Sequence, residues 1–160
     1  MMNKIIENDC REILSRVEFG KIKGKKILVT GATGFLGQYI VSAISFANKE
    51  LNLGCSIDAV GLSNIEKSTS IIVPLSKEYK NISYTSVDLS RSFDLRDYDY
   101  IFHSAGYGQP AKFIDNPYSL VKINVDATMS LLERSPKATF IFFSSAEVYG
   151  DIPKKLIPVR

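Results

Sequence analysis

The chain has 160 residues, 45% hydrophobic and 23% charged, with a formal net charge of +3; that suits one domain of ordinary size built around a real core. The basic residues are scattered, and their densest group, Lys23, Lys25 and Lys26, reads as a solvated strand entrance, so no nucleic-acid partner is expected. No apolar run nears the roughly 20 residues of a membrane span, the start lacks an apolar signal core, and Cys10 and Cys55 have no CxxC spacing; a reduced cytoplasmic protein with no metal and no membrane contact is expected.

In chain order, residues 3–18 predict an amphipathic helix with Ile6, Cys10, Ile13, Leu14 and Val17 on one face. Gly20 and Gly24 break it, so residues 1–24 form a helical arm that packs on the domain or on a partner. Residues 25–160 then alternate strand and helix. The first strand is Lys25–Val29 and its helix runs from about 35 to 50. After the turn signal Asn52-Leu53-Gly54 comes a strand at Ile57–Leu62. Residues 64–80 are polar and mixed, with room for one short helix. A strand follows at Ile82–Val87, then a charged loop at 88–97 and a strand at Tyr100–Ser104. Asn116-Pro117 reads as an N-cap with proline at the first helical position. The helix it opens aligns Leu120, Ile123, Ala127 and Leu131, Pro136 ends it, and a last strand runs Ala138–Phe143.

The first, fourth and fifth strands are apolar through much of their length, as in a parallel sheet covered on both faces. Alternating strands and helices imply an α/β fold, a Rossmann-like doubly wound parallel sheet. Right-handed crossovers put every strand's C-terminal end on one edge, where ligands bind. The informative residues should therefore be 30–37, 63–64, 88–89, 104–109 and 144–150.

The octet TGATGFLG, residues 30–37, stands at the first such end. A phosphate there needs backbone N–H groups and the positive end of a helix. Side chains would hold a pyrophosphate away, which explains glycine at 31 and 34; glycine at 37 lets the helix approach the sheet. Because the triplet follows a strand and opens a helix, it predicts dinucleotide binding rather than a merely tight turn.

The G-x-x-G-x-x-G spacing within TGATGFLG resembles the short-chain dehydrogenase/reductase superfamily, and more narrowly its extended branch, the NAD-dependent epimerase/dehydratase family that modifies nucleotide sugars. Further segments match in order from about residue 25 to 151: Asp88-Leu89, His103-Ser104-Ala105-Gly106, Asn124 within INVDAT, and Phe143 to Gly150. The resemblance implies that Gly31, Thr33, Gly34, Phe35, Leu36 and Gly37 seat the cofactor's phosphates. It puts Asp88 and Leu89 at the adenine, Ser104, Ala105 and Gly106 along the cofactor, and Asn124 near the nicotinamide. Each has a plainer role open to it: His103 as a buried histidine satisfied by backbone, Asp88 as a loop cap, Asn124 as a helix-surface residue.

The ribose position falls on Ser63, followed by Asn64, with Asp58 on the wrong edge of the sheet. Neutral Ser63 neither demands a free 2′-OH nor repels a 2′-phosphate, and Lys67 is near in sequence. NAD is the expected cofactor, with NADP left open.

Members of the family oxidise a sugar hydroxyl by hydride transfer and often return the hydride. A tyrosine is the base, a lysine lowers its pKa, and a serine or threonine hydrogen-bonds the reacting oxygen. Here that hydroxyl is Ser145. Ala146 lacks the acid of the 4,6-dehydratases, whereas Ser145-Ala146-Glu147-Val148-Tyr149-Gly150-Asp151 is most similar to the UDP-glucuronate decarboxylase group. That implies an acid/base or orienting role for Glu147, or else a carboxylate paired with a nearby cation. Gly106-Tyr107-Gly108-Gln109 departs from that group, which leaves the substrate open. Tyr149 is not followed at the required distance by lysine and reads as structural.

No Y-x-x-x-K follows the last strand, where the family carries its pair; the one match to the pattern, Tyr118 to Lys122, lies earlier, on the helix opened by Asn116-Pro117. The chain is therefore expected to be the N-terminal part of a longer enzyme, truncated before the Y-x-x-x-K helix and the substrate domain. The part alone is expected to be inactive and the full-length protein a homodimer acting on a nucleotide sugar. The competing reading is a non-catalytic dinucleotide-binding sensor or scaffold module.

Overall fold

The computed structural model of the chain describes residues 2–64, 70–91, 97–106 and 114–153. Five strands, β1 Lys26–Thr30, β2 Ser56–Gly61, β3 Ile82–Ser86, β4 Tyr100–His103 and β5 Thr139–Phe142, form one sheet in the order β3-β2-β1-β4-β5. Every pairing is parallel. The order reverses direction between β1 and β4, which makes that junction the switch point of a doubly wound α/β sheet. The register pairs Thr30 with both Val60 and His103, and His103 with Phe142, so these strand ends share one edge.

The apolar strand β1 is buried from Ile27 to Thr30, as a central strand requires. Strand β5 departs from the expectation of burial on both faces. Thr139 and Phe142 are exposed and Phe140 and Ile141 only half-buried. It is the outermost of the five strands, so its neighbours cover only one side of it.

Helix α1, Lys4–Arg16, starts where the Asn3 side chain accepts the Ile5 amide at 2.9 Å. It packs on α2, Phe35–Leu51. Seven successive residues of α2, Val41 to Ala47, are buried, which a helix achieves only when covered on opposite sides. The sheet covers one side and α1 the other. Cys10 is buried there, the Arg11 guanidinium lies 5.2 Å over the Phe46 ring, and the Tyr39 hydroxyl donates to Asp9 at 3.1 Å. Of the apolar face expected on this arm, Val17 is the exception: it caps the helix end and is exposed, because the chain turns extended at that residue.

Helix α3, Ile72–Glu78, fills the polar stretch before β3 and buries Ile72 and Leu75. The helix after Asn116, α4, has three parts: α-helical Pro117–Val121, one π turn over Lys122–Asp126, and α-helical Ala127–Arg134. Ala127 and Leu131 are buried, and Leu120 and Ile123 half-buried, on its inner side.

Candidate functional site

At the end of β1 the chain turns sharply. Gly31 has φ +66, in the left-handed region that glycine enters freely. A Cβ on it would sit 2.6 Å from the Ser104 carbonyl oxygen. The turn is tied to β2 by the Ala32 amide bonding the Val60 carbonyl at 2.9 Å, and closed by the Gly34 amide bonding Gly31 at 2.8 Å. Gly37 is tighter still: a Cβ there would overlap the Gly31 oxygen. The atoms it would strike belong to the turn rather than to the sheet, so Gly37 brings the helix against its own entry loop. Gly34 is exposed, and the nearest atom to a Cβ there is the Gly31 oxygen at 3.1 Å.

The start of α2 suits an anionic ligand. Gly34 is the N-cap and no side chain caps the helix. The first-turn amides of Phe35, Leu36 and Gly37 therefore have no partner four residues back within the helix, and the helix dipole adds positive potential. A cradle bounded by atoms that a Cβ would overlap, with free amides aimed outward, fits a pyrophosphate. Phe35 and Leu36 are both exposed beside it.

Thr33 faces the neighbouring strand end. A Cβ on Gly61 would meet the Thr33 hydroxyl at 2.8 Å and the Tyr84 hydroxyl at 3.1 Å. Tyr84 donates to the Ser63 carbonyl at 2.5 Å and bonds the Thr33 side chain. Burial pushes its phenol up, while the Thr33 bond pulls it down. Tyr84 thus joins the glycine turn to the loop that carries Ser63 and Asn64, both exposed. The sequence reading missed it, because a tyrosine on a strand looks like ordinary strand chemistry. Asp58 lies inside β2, its carboxylate accepting from the Ser83 and Tyr98 hydroxyls at 2.7 and 2.8 Å, away from that loop. Lys67 lies outside the described residues.

Asp88 is a loop cap. One carboxylate oxygen accepts from the Ser90 amide and hydroxyl at 3.0 and 2.7 Å, and the other lies 3.3 Å from Arg91 Nε. The Ser90 hydroxyl, first of these, holds the carboxyl below its usual range. Leu89 beside it is buried.

After β4, Ser104 turns its hydroxyl back to the Thr30 carbonyl at 2.7 Å, and the Ala105 amide bonds Thr30 Oγ1 at 3.3 Å. Gly106 follows, exposed, and a Cβ there would lie 3.9 Å from Asn124 Oδ1. Residues 107–109, expected along the same edge, lie outside the described residues. His103 is buried, 1% exposed; Thr30 Oγ1 lies 2.6 Å from its Nδ1, so its ring lines the interior and not the ligand edge.

After β5 the Phe143 amide bonds the His103 carbonyl at 3.2 Å, carrying the chain along the same edge. Ser145 caps a short 3-10 turn, Ala146–Tyr149, its hydroxyl accepting the Glu147 amide at 3.3 Å. Ser145, Glu147 and Tyr149 are exposed.

A parallel sheet with a glycine turn at its switch point defines a Rossmann-type α/β domain. A family model, the NAD dependent epimerase/dehydratase family, matches residues 27–159. The chain belongs to that family. It is 28% identical over 136 residues to the UDP-glucose 4-epimerase of Haemophilus influenzae, covering 83% of this chain and 40% of the relative. It is 29% identical over 143 residues to the UDP-glucose 4-epimerase of Pisum sativum, covering 82% and 39%. The chain thus spans about two fifths of the length of these relatives. Among solved structures it resembles a short chain dehydrogenase from Shigella flexneri complexed with NADP, with a TM-score of 0.57 at 19% identity over 84% of this chain and 64% of that one. It also resembles Pen from Bacillus thuringiensis, with a TM-score of 0.54 at 24% identity over 71% and 34%.

Proposed function

We propose that the chain is the dinucleotide-binding part of an enzyme that remodels a nucleotide sugar by transient oxidation at a sugar hydroxyl. The observation that carries this reading is the glycine turn packed against the end of β4 at the switch point, in a chain whose relatives are UDP-glucose 4-epimerases. A bound nicotinamide supplies the hydride acceptor. The chain's own part is to seat the phosphates on the amides of Phe35 to Gly37, to hold the ribose against the loop of Ser63 and Asn64, and to support the nicotinamide side with Ala105, Gly106 and Asn124. Ser145 would hydrogen-bond the reacting sugar oxygen, and Glu147, exposed one turn away, would orient or exchange a proton with the sugar.

The relatives' names favour an epimerisation outcome, while the stretch Ser145 to Asp151 is closer to the decarboxylase pattern. Both routes begin with the same oxidation, so the proposal is common to both. The cofactor is NAD in this reading, following the description of the matching family model, and neutral Ser63 leaves NADP open. The full-length protein would be a homodimer. Tyr118, Val121, Val125, Met129 and Leu132 support this, exposed along one side of α4 at 41% or more.

Titration of NAD and NADP into the chain, read by calorimetry or by amide shifts at 31–37, tests the reading. NAD binding with shifts at those amides is the expected result. No binding of either nucleotide would sink it, and a preference for NADP above about tenfold, 1.4 kcal/mol, would reverse the choice of cofactor. The coding sequence beyond position 160 tests the enzyme: a Y-x-x-x-K soon after it supports catalysis, and a stop codon supports a binding module.

A further inference from the structure

The π turn in α4 and the buried histidine of β4 meet at one atom. In the π turn, the Ala127 amide bonds the Lys122 carbonyl, five residues back. In an α-helix that amide would have taken the Ile123 carbonyl. The Ile123 oxygen instead faces His103 Nε2 at 3.4 Å.

The carbonyl determines the proton positions. It can only accept, so the ring proton sits on Nε2, toward Ile123, and Nδ1 of the neutral ring is an acceptor. Thr30 Oγ1, 2.6 Å from Nδ1, therefore gives its one proton to the ring while receiving the Ala105 amide. One chain of hydrogen bonds then runs from the Ala105 amide through Thr30 and His103 to the Ile123 carbonyl. It joins the segment after β4, the last residue of β1 before the glycine turn, and the π turn. Burial holds the imidazole below its ordinary pKa and so in the neutral form this chain requires.

The residue after Ile123 is Asn124, whose Oδ1 lies 3.9 Å from the Cβ position of Gly106. A π turn adds one residue to a helical turn and rotates the remainder of the helix. Without it, the side chains from 124 onward would shift around the helix axis. We propose that His103 is a positioning residue: by holding the Ile123 carbonyl it keeps α4 in the π register that sets Asn124 beside the segment 104–106. Its consequence for ligand binding rests on the dinucleotide reading above; the latch itself does not.

Amide NMR on the ligand-free chain tests the latch, and a double-mutant cycle with NAD tests its consequence. His103→Phe keeps a ring in the pocket formed with Phe140 and Phe142 but cannot hydrogen-bond. It is expected to shift the amides of 122–128 and speed exchange at Ala127, leaving those of Ile27 to Val29 protected. His103→Gln, whose amide nitrogen reaches about as far as Nε2, is expected to retain the wild-type pattern, and the shorter His103→Asn to lose it. This Gln/Asn comparison serves as well should the Phe variant fail to fold. Unshifted 122–128 amides in both Phe and Asn variants, or equal disturbance by Gln and Asn, would overturn the latch.

With NAD, His103→Phe and Asn124→Ala are each expected to weaken binding about tenfold, and the double variant no more than either alone. Losses that multiply to about a hundredfold would show that His103 does not act through Asn124. Failure of the wild type to bind either nucleotide would sink the dinucleotide reading while the NMR result still decides the latch.

Discussion

Gly31 and Ser104 lie so close that one added carbon on the glycine would sit 2.6 Å from the serine carbonyl oxygen. The contact closes the junction between β1 and β4, and it separates the roles of the three glycines. Gly31→Ala meets both that clash and a left-handed φ, and Gly37→Ala overlaps the Gly31 oxygen. Each is expected to cost about 3 kcal/mol of stability. Gly34→Ala has ordinary extended backbone, φ −75 and ψ 169, and is expected to cost less than about 1 kcal/mol while weakening NAD at least tenfold. Urea unfolding with NAD titration checks this; equal destabilisation by all three would refute the assignment.

His103 also sets a pH dependence. Its folded pKa lies below the ordinary value of 6.5, first through burial. Its surroundings are Thr30, the rings of Phe140 and Phe142, and the Ile123 carbonyl. As pH falls through about 6.5 the unfolded chain takes up a proton that the folded chain refuses, so stability, full above that pH, declines below it. The slope should approach about 1.4 kcal/mol per pH unit. Asp88 and Asp99, held low by their hydrogen bonds, act only at more acid pH. Denaturant unfolding between about pH 6.5 and 5 should show the slope in wild type and a flatter one in His103→Phe; parallel slopes would contradict it.

Both thiols are expected to be inert in the folded chain. Cys10 is pushed up to about 11, by burial first and then by Asp9 and Glu7. Cys55 is raised by burial and donates to Asn48 Oδ1 at 3.3 Å. The thiolate is the reactive form, so a disulfide reagent near neutral pH should modify neither until urea is added. Prompt reaction of Cys10 in the native chain would show that α1 does not stay on α2, and prompt reaction of Cys55 that the Asn48 contact before β2 opens.

The exposed side of α4 is expected to drive self-association. Sedimentation of the wild-type chain should show mass rising with concentration, and Val125→Lys with Met129→Lys should abolish it. A wild type that stays monomeric at high concentration would remove this support for a homodimer.

The strand-and-helix alternation was legible because β1 and α2 carry opposite periodicities around one glycine turn. Expected strand ends fall within a residue of those observed: Val29 was the expected end and Thr30 the observed one. The exposure of β5 was not legible. Phe140, Ile141 and Phe142 read as a buried run, whereas at the end of the strand order Phe140 and Ile141 are half-buried and Phe142 is exposed. Asp88 shows a related limit: its position after β3 was evident, but whether its carboxylate turns to the loop depends on where Ser90 and Arg91 lie in space.

Local pattern by itself determined the glycine turn, whose residues are adjacent and whose backbone demands are strict, while the order of short motifs and strands along the chain pointed to the parallel sheet and the family. Only the tertiary structure decided that Tyr84 ties Thr33 to Ser63, that α1 seals the outer face of α2, and that His103 meets a carbonyl freed by a π turn. Those contacts join residues 20 or more apart, between His103 and Ile123 or Tyr84 and Ser63. Their partners are chosen by the packing of strands and helices, which no short stretch of sequence encodes.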